Sequence, residues 1–189
     1  MLKYQPTNQI LNQAKEDLNN YGYFVFKDIF REDYCDLVID DIDKLSKHDD
    51  VEINYGGSEH RIWTSHEKSS NIDMFKEFSD KVTSFCLNTE VNAYDILAYR
   101  NLEIDILNSS LLSDRWHIDS LNKQLKVFLF LKEVKEQDGP LQWITETQKP
   151  FFKFKEVLKG NYLSPFDLLG KNRKYQNIPD KKVQMKLDK

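Results

Sequence analysis

Apolar residues in this chain change their spacing near residue 90, from a helical period to a strand period, and no other feature restricts the fold as much. Three stretches before the switch read as helices. Residues 8–19 place Ile10, Leu11, Ala14 and Leu18 on one face, with Thr7 positioned to cap the first turn. Gly22 supplies a stop, and Tyr23-Phe24-Val25-Phe26 reads as a short strand. Residues 31–47 carry an apolar stripe of Tyr34, Leu37, Val38, Ile42 and Leu45, with Glu32 and Asp33 complementing the helix dipole in the first turn. Residues 72–88 repeat the pattern with Phe75, Phe78, Val82 and Phe85. Between the second and third helices, 48–70 has no period, contains Gly56-Gly57 and holds His48, His60 and His66. It reads as a long ordered loop.

After the switch, 94–107 alternates imperfectly, and Leu125 to Leu131 is an apolar, buried strand candidate. Asp138-Gly139-Pro140 is a turn signal before a further strand at Leu141–Ile144. Helices followed by strands predict an α+β domain with a sandwich or barrel core. Aromatics at 13% of the 189 residues favour a β-rich core over a helical bundle. That length fits one domain over 1–170, helical to about 90 and β-rich from 91. The remainder, 171–189, holds seven Lys or Arg, shows no strand pattern and reads as a weakly ordered basic tail.

A net charge of −4 argues against broad electrostatic binding to nucleic acid. No apolar run approaches the roughly 20 residues that span a bilayer, and Met1 to Pro6 lacks the apolar stretch of a secretory signal. Cys35 and Cys86 imply no disulfide framework, so a reducing cytoplasm is the expected compartment. Both cysteines fall on helical segments as packing residues, and the pairs Asp40-Asp41 and Asp49-Asp50 read as solvated charge.

The sharpest chemical feature is Arg115-Trp116-His117-Ile118-Asp119-Ser120. On an extended strand, residues i and i+2 share a face, so His117 and Asp119 can offer an imidazole nitrogen and a carboxylate oxygen to one ion. Those are two of the three ligands of the two-histidine, one-carboxylate triad that holds Fe(II) with open positions. A bare H-x-D is common by chance, and the bland alternative is a hydrogen-bonded pair at a strand end.

The run WHIDSLNKQLKVFLFLKEVKEQDGPLQWITETQK, from Trp116 to Lys149, resembles the central block of phytanoyl-CoA-dioxygenase-like proteins. There, H-x-D precedes a buried strand, an acidic loop ending in Gly-Pro-Leu, and a strand leading to a Thr-x-Lys-like close. The counterparts here are His117 and Asp119, Val127 to Leu131, Asp138-Gly139-Pro140-Leu141, and Thr145 to Lys149. Tyr21 to Asp28 is similar to the opening strand of that family, so the resemblance covers roughly residues 8–149. It implies a double-stranded β-helix (jelly-roll, cupin-like) core with N-terminal helices, Fe(II), 2-oxoglutarate as cosubstrate, O₂, and hydroxylation of a small molecule.

The chain also departs from that pattern. The family's second metal-binding histidine, and the arginine that grips 2-oxoglutarate, lie well downstream of H-x-D. Here no histidine follows His117, and Arg173 is the only later arginine. Three readings stay open: an N-terminal piece of a longer protein, a scaffold that has lost iron and acts by binding, or a site completed by another residue. The expectation is a third position left empty or to solvent, with Asn172, Gln176 and Asp180 as weak substitutes.

Secondary candidates are His60, Arg61 and Trp63, in a loop that in related proteins reaches over the active-site mouth, and Lys126 and Gln142 on the core strands. Each has a plainer reading: a surface loop with an aromatic anchor, an edge lysine facing solvent, and for Trp143 a core residue. His60 and His66 lack a zinc spacing. A chain ending in exposed apolar strands such as 125–131 would favour self-association.

Overall fold

The computed structural model describes residues 2–54, 57, 59–93, 95–102, 124–135, 140–152 and 154, together with the backbone of 117–118 and 176–177. Asp119, the 136–139 turn signal and nearly all of the basic tail lie outside the described residues.

Two of the helices begin at a side-chain cap. Helix α1 (Asn8–Asn20) starts at Thr7, whose Oγ1 accepts the Ile10 N–H at 3.3 Å, and buries Ala14. Helix α2 (Glu32–Leu45) buries Tyr34, Val38, Ile42 and Leu45, an i, i+4, i+8, i+11 stripe. Leu37, expected in that stripe, is 52% exposed because it falls outside it. After a single turn, α3 (Ser65–Lys68), helix α4 (Ser70–Leu87) begins at Ser69, whose hydroxyl accepts the Ile72 N–H. It ends at Asn88 in the left-handed region, a position Asn tolerates.

The expected loop over 48–70 contains structure. Strands β1 (Glu52–Asn54) and β2 (Glu59–Ile62) form an antiparallel hairpin, and β3 (Ala98–Asn101) pairs antiparallel with β2. The molecule is therefore α+β, with a small sheet of order β1-β2-β3. Strands β4 (His117–Ile118) and β5 (Gln176–Asn177) form a second antiparallel pair, of which the composition of 171–189 gives no sign.

Other expected strands are corrected. Tyr23–Phe26 and Leu141–Ile144 are irregular, and so is 125–131. The last segment does alternate: Val127, Leu129 and Leu131 pack on the core, while Lys126, Phe128 and Phe130 are exposed. Period-two burial is present there without a ladder among the described residues. Among the described residues of those ranges, the antiparallel sheet expected to hold 94–107 and 125–131 has 98–101; residues 94 and 103–107 lie outside the described residues.

The chain divides into two compact units, described separately. The larger contains most of α1, then α2 to α4, the β1-β2-β3 sheet and 126–135. Its core joins Ile29, Phe30, Tyr34, Val38, Ile42, Ile62, Ile72, Phe75, Phe78, Val82 and Ala98. Phe30 is the hub, with ring centroids 5.1 Å from Tyr34, 5.1 Å from Phe78 and 6.1 Å from Phe75. The aromatics of the described core thus lie on helices and the loop before α2, not on strands as their abundance implies. Asp41 is no solvated charge either. It accepts from Ser69 Oγ at 2.6 Å and Asn71 Nδ2 at 2.9 Å, tying α2 to the start of α4.

The smaller unit includes residues 17–23, β4, β5 and the segment after Gln142. Helix α1 ends in it, and side chains satisfy its terminal carbonyls: Trp143 Nε1 donates to Tyr21 O at 3.1 Å and Gln148 Nε2 to Asn19 O at 3.4 Å. Trp143, expected in the core, remains 49% exposed, because its indole N–H is used on that surface clasp.

Candidate functional site

Three groups of side chains bear on chemistry, and the backbone decides which of them can act together. The first is β4. His117 is on an extended strand, directly across the ladder from Asn177, with Ile118 across from Gln176. Extended backbone is what an H-x-D pair needs to face one ion. Among the described residues no three His, Cys, Asp or Glu side chains converge on a metal position, and Asp119 is not one of those residues.

The second group is the β1-β2-β3 sheet, which separates the upstream candidates by parity. Arg61 lies between Glu52 and Tyr99, and Glu59 is opposite Asn54 and Asn101. These six residues share the outer face. There Arg61 Nε donates to Glu59, its guanidinium lies 5.7 Å from the Tyr99 ring centre, and Trp63 Nε1 donates to Glu52. Hydrogen bonds from Asn54 and Trp63 hold the Glu52 carboxyl below the usual carboxylate range. Trp63 and Tyr99 remain 43% and 44% exposed.

His60 points the other way. It is opposite Ile53 and Arg100, on the face where Ile62 and Ala98 enter the core. Its Nδ1 is buried with no hydrogen-bond partner. Arg100 on the same face pairs with Asp43 at 2.9 Å. Arg61 and Trp63 are therefore brought together, and His60 is held on the opposite face from them.

His66 serves the packing of α3. Its Nδ1 accepts the Ile96 N–H at 3.4 Å, and Asp95, 3.9 Å away, accepts the Thr64 N–H at 2.7 Å. Ser65, fully buried, donates its hydroxyl to Ile96 O at 2.6 Å. A lone pair engaged with a backbone N–H is not available to an ion.

Of the remaining candidates, Lys126 and Gln142 are both exposed. A cleft between the end of α2 and the start of α4 is lined by Asp41, Lys44, Lys68 and Asn71, and its charges are mutually engaged: Asp41 by Ser69 and Asn71, Lys68 by Asp50. Burial pushes the Cys35 and Cys86 thiols up, which lowers their thiolate content and fits the packing role. Sequence reasoning gave no sign that Asn177 lies across the ladder from His117. Only the β4–β5 register singles it out, since nothing in residues 171–189 alternates. The chain matches no protein-family model, no curated protein and no solved structure.

Proposed function

We propose that this chain is an Fe(II)- and 2-oxoglutarate-dependent oxygenase-type protein, similar to the phytanoyl-CoA-dioxygenase-like family, that hydroxylates a small molecule. His117 and Asp119 are its metal ligands, on a double-stranded β-helix core. The observation that supports the reading is the extended, paired backbone at His117–Ile118. A helix or turn at that point would turn residues i and i+2 apart and leave the motif without chemistry.

The donor set suits the metal. Neutral imidazole and carboxylate are both accepted by Fe(II), and leave coordination positions for a chelating keto acid. With O₂, that assembly supplies the oxidising chemistry when bound. The chain's own part is to hold His117 in its neutral form, present the Asp119 charge on the same strand face, and orient the substrate. No described helix is long and apolar enough to cross a membrane.

A second reading has one sequence observation in its favour: no histidine follows His117, and no His-Arg pair follows to grip 2-oxoglutarate. On that reading the same scaffold binds a ligand or partner without catalysis. Succinate formation by the 189-residue chain, with Fe(II), 2-oxoglutarate and ascorbate, separates the two. We expect turnover that is slow and abolished by His117→Ala and by Asp119→Ala. Metal binding with no succinate at all selects the non-catalytic reading. Succinate formation indifferent to both substitutions rejects the site.

A further inference from the structure

The outer face of the β1-β2-β3 sheet is set by register. Glu52, Arg61 and Tyr99 form one cross-strand row, and Asn54, Glu59 and Asn101 form the next. Three strands give the face a breadth of about 10 Å. Trp63 follows β2 directly and is tied to the same face by its indole N–H, which donates to Glu52. The turn that delivers it is strained. Thr64, next in the chain, has φ 50° and ψ 35°, left-handed values that a β-branched residue rarely takes. Two bonds hold that conformation: Asp95 accepts the Thr64 N–H at 2.7 Å, and Ile96 O accepts the Ser65 N–H at 3.0 Å. A tryptophan 43% exposed is thus fixed on the sheet surface by its own hydrogen bond and by a strained turn.

Charge and ring chemistry narrow what this face can take. Two carboxylates, Glu52 and Glu59, against one guanidinium, Arg61, leave it net negative. That repels a phosphate backbone, although exposed rings can stack bases. A cationic ligand would compete with Arg61, whose guanidinium already lies 5.7 Å from the Tyr99 ring centre. A wholly apolar ligand would strip water from the carboxylates. A neutral saccharide meets none of these penalties. Its C–H face covers an aromatic ring, and its hydroxyls both donate and accept. Glu52 accepts from Asn54 Nδ2 and Trp63 Nε1. An ionised carboxylate has about four lone-pair sites, so capacity is left for hydroxyl donors. We propose that this face is a binding platform for a neutral saccharide, with Trp63 stacked on a sugar ring and Glu52, Asn54 and Glu59 reaching its hydroxyls. The platform does not depend on the metal reading of His117 and Asp119.

The test is calorimetry of the full chain with a panel of neutral tetrasaccharides of glucose, mannose, galactose or N-acetylglucosamine. An oligothymidylate and tetramethylammonium chloride are run beside it. Wild type binds at least one tetrasaccharide saturably and neither of the other two probes. Trp63→Ala weakens that binding by ~10-fold or more, whereas Trp63→Phe, which keeps a stacking ring, stays near wild type. Glu52→Gln weakens it by ~10-fold. Trp143→Phe, at a second half-exposed indole away from the sheet, leaves it unchanged. Both Trp63 variants lose the bond to Glu52, so equal losses in the two would assign the indole a structural role and overturn the proposal. No binding across the panel at millimolar concentration overturns it as well. So does full binding by Trp63→Ala, or tighter binding of the oligothymidylate or of tetramethylammonium than of any tetrasaccharide.

Discussion

Replacing Gly22 with Ala tests the clasp at the end of α1 quantitatively. Gly22 has φ +89°, a region that L residues avoid. A Cβ there would be 2.7 Å from Gln148 Oε1 and 2.9 Å from Trp143 Nε1, both closer than real Cβ contacts allow. Two costs follow. The left-handed backbone costs about 1–2 kcal/mol for a residue with a Cβ. Displacing the indole breaks its bond to Tyr21 O, about 0.5–1.5 kcal/mol. Together they give roughly 1.5–3.5 kcal/mol, or a melting point lower by about 3–14 °C in a chain of this size. Denaturant unfolding should show this loss for Gly22→Ala, with Gln148→Ala relieving part of it in the double variant. An unchanged stability in Gly22→Ala, or strict additivity of Gly22→Ala with Gln148→Ala, would refute the clasp.

Two further outcomes follow from the larger unit. Desolvation raises the Asp41 carboxyl, but hydrogen bonds from Ser69 and Asn71, with Lys44 nearby, outweigh it and the net shift is downward. A depressed folded-state value gives stability that is present above the unfolded carboxylate range, near 3.9, and lost as pH falls through the folded value. Asp41→Ala should therefore cost about 1.5–3 kcal/mol at neutral pH and progressively less on acidification, measured by urea unfolding at several pH values. A loss independent of pH would contradict it. In the aromatic core, Phe78→Ala should cost about 3–5 kcal/mol, whereas Leu37→Ala, half-exposed on the outer side of α2, should stay within about 0.5 kcal/mol. Comparable losses at the two positions would show that the helix stripe is wrongly placed.

Helices α1, α2 and α4 were legible from their apolar spacing and from end signals that act as their types suggest, Thr7 and the Glu32-Asp33 first turn. The hairpin was not. Its strands are three and four residues long, and Glu52, Asn54, Glu59 and Arg61 on its outer face give no apolar alternation to read. At 125–131 the alternation was visible and is reflected in burial, but periodicity reports which face is covered and says nothing about hydrogen-bonded neighbours. Asp41 looked solvated because its partners, Ser69 and Asn71, are distant in sequence. At the candidate site, H-x-D marked the strand carrying His117, while its cross-strand neighbour came only from register, a tertiary property that no local pattern encodes.

The most direct test of the central claim is anaerobic Fe(II) binding by the 189-residue chain, with and without 2-oxoglutarate, read by metal analysis and by the visible charge-transfer band that a keto acid gives when it chelates Fe(II). The account predicts one iron per chain, a band that appears only with 2-oxoglutarate present, and loss of both in His117→Ala and Asp119→Ala. Iron retained at the wild-type level by both variants, or no iron bound by the wild-type chain, would contradict it.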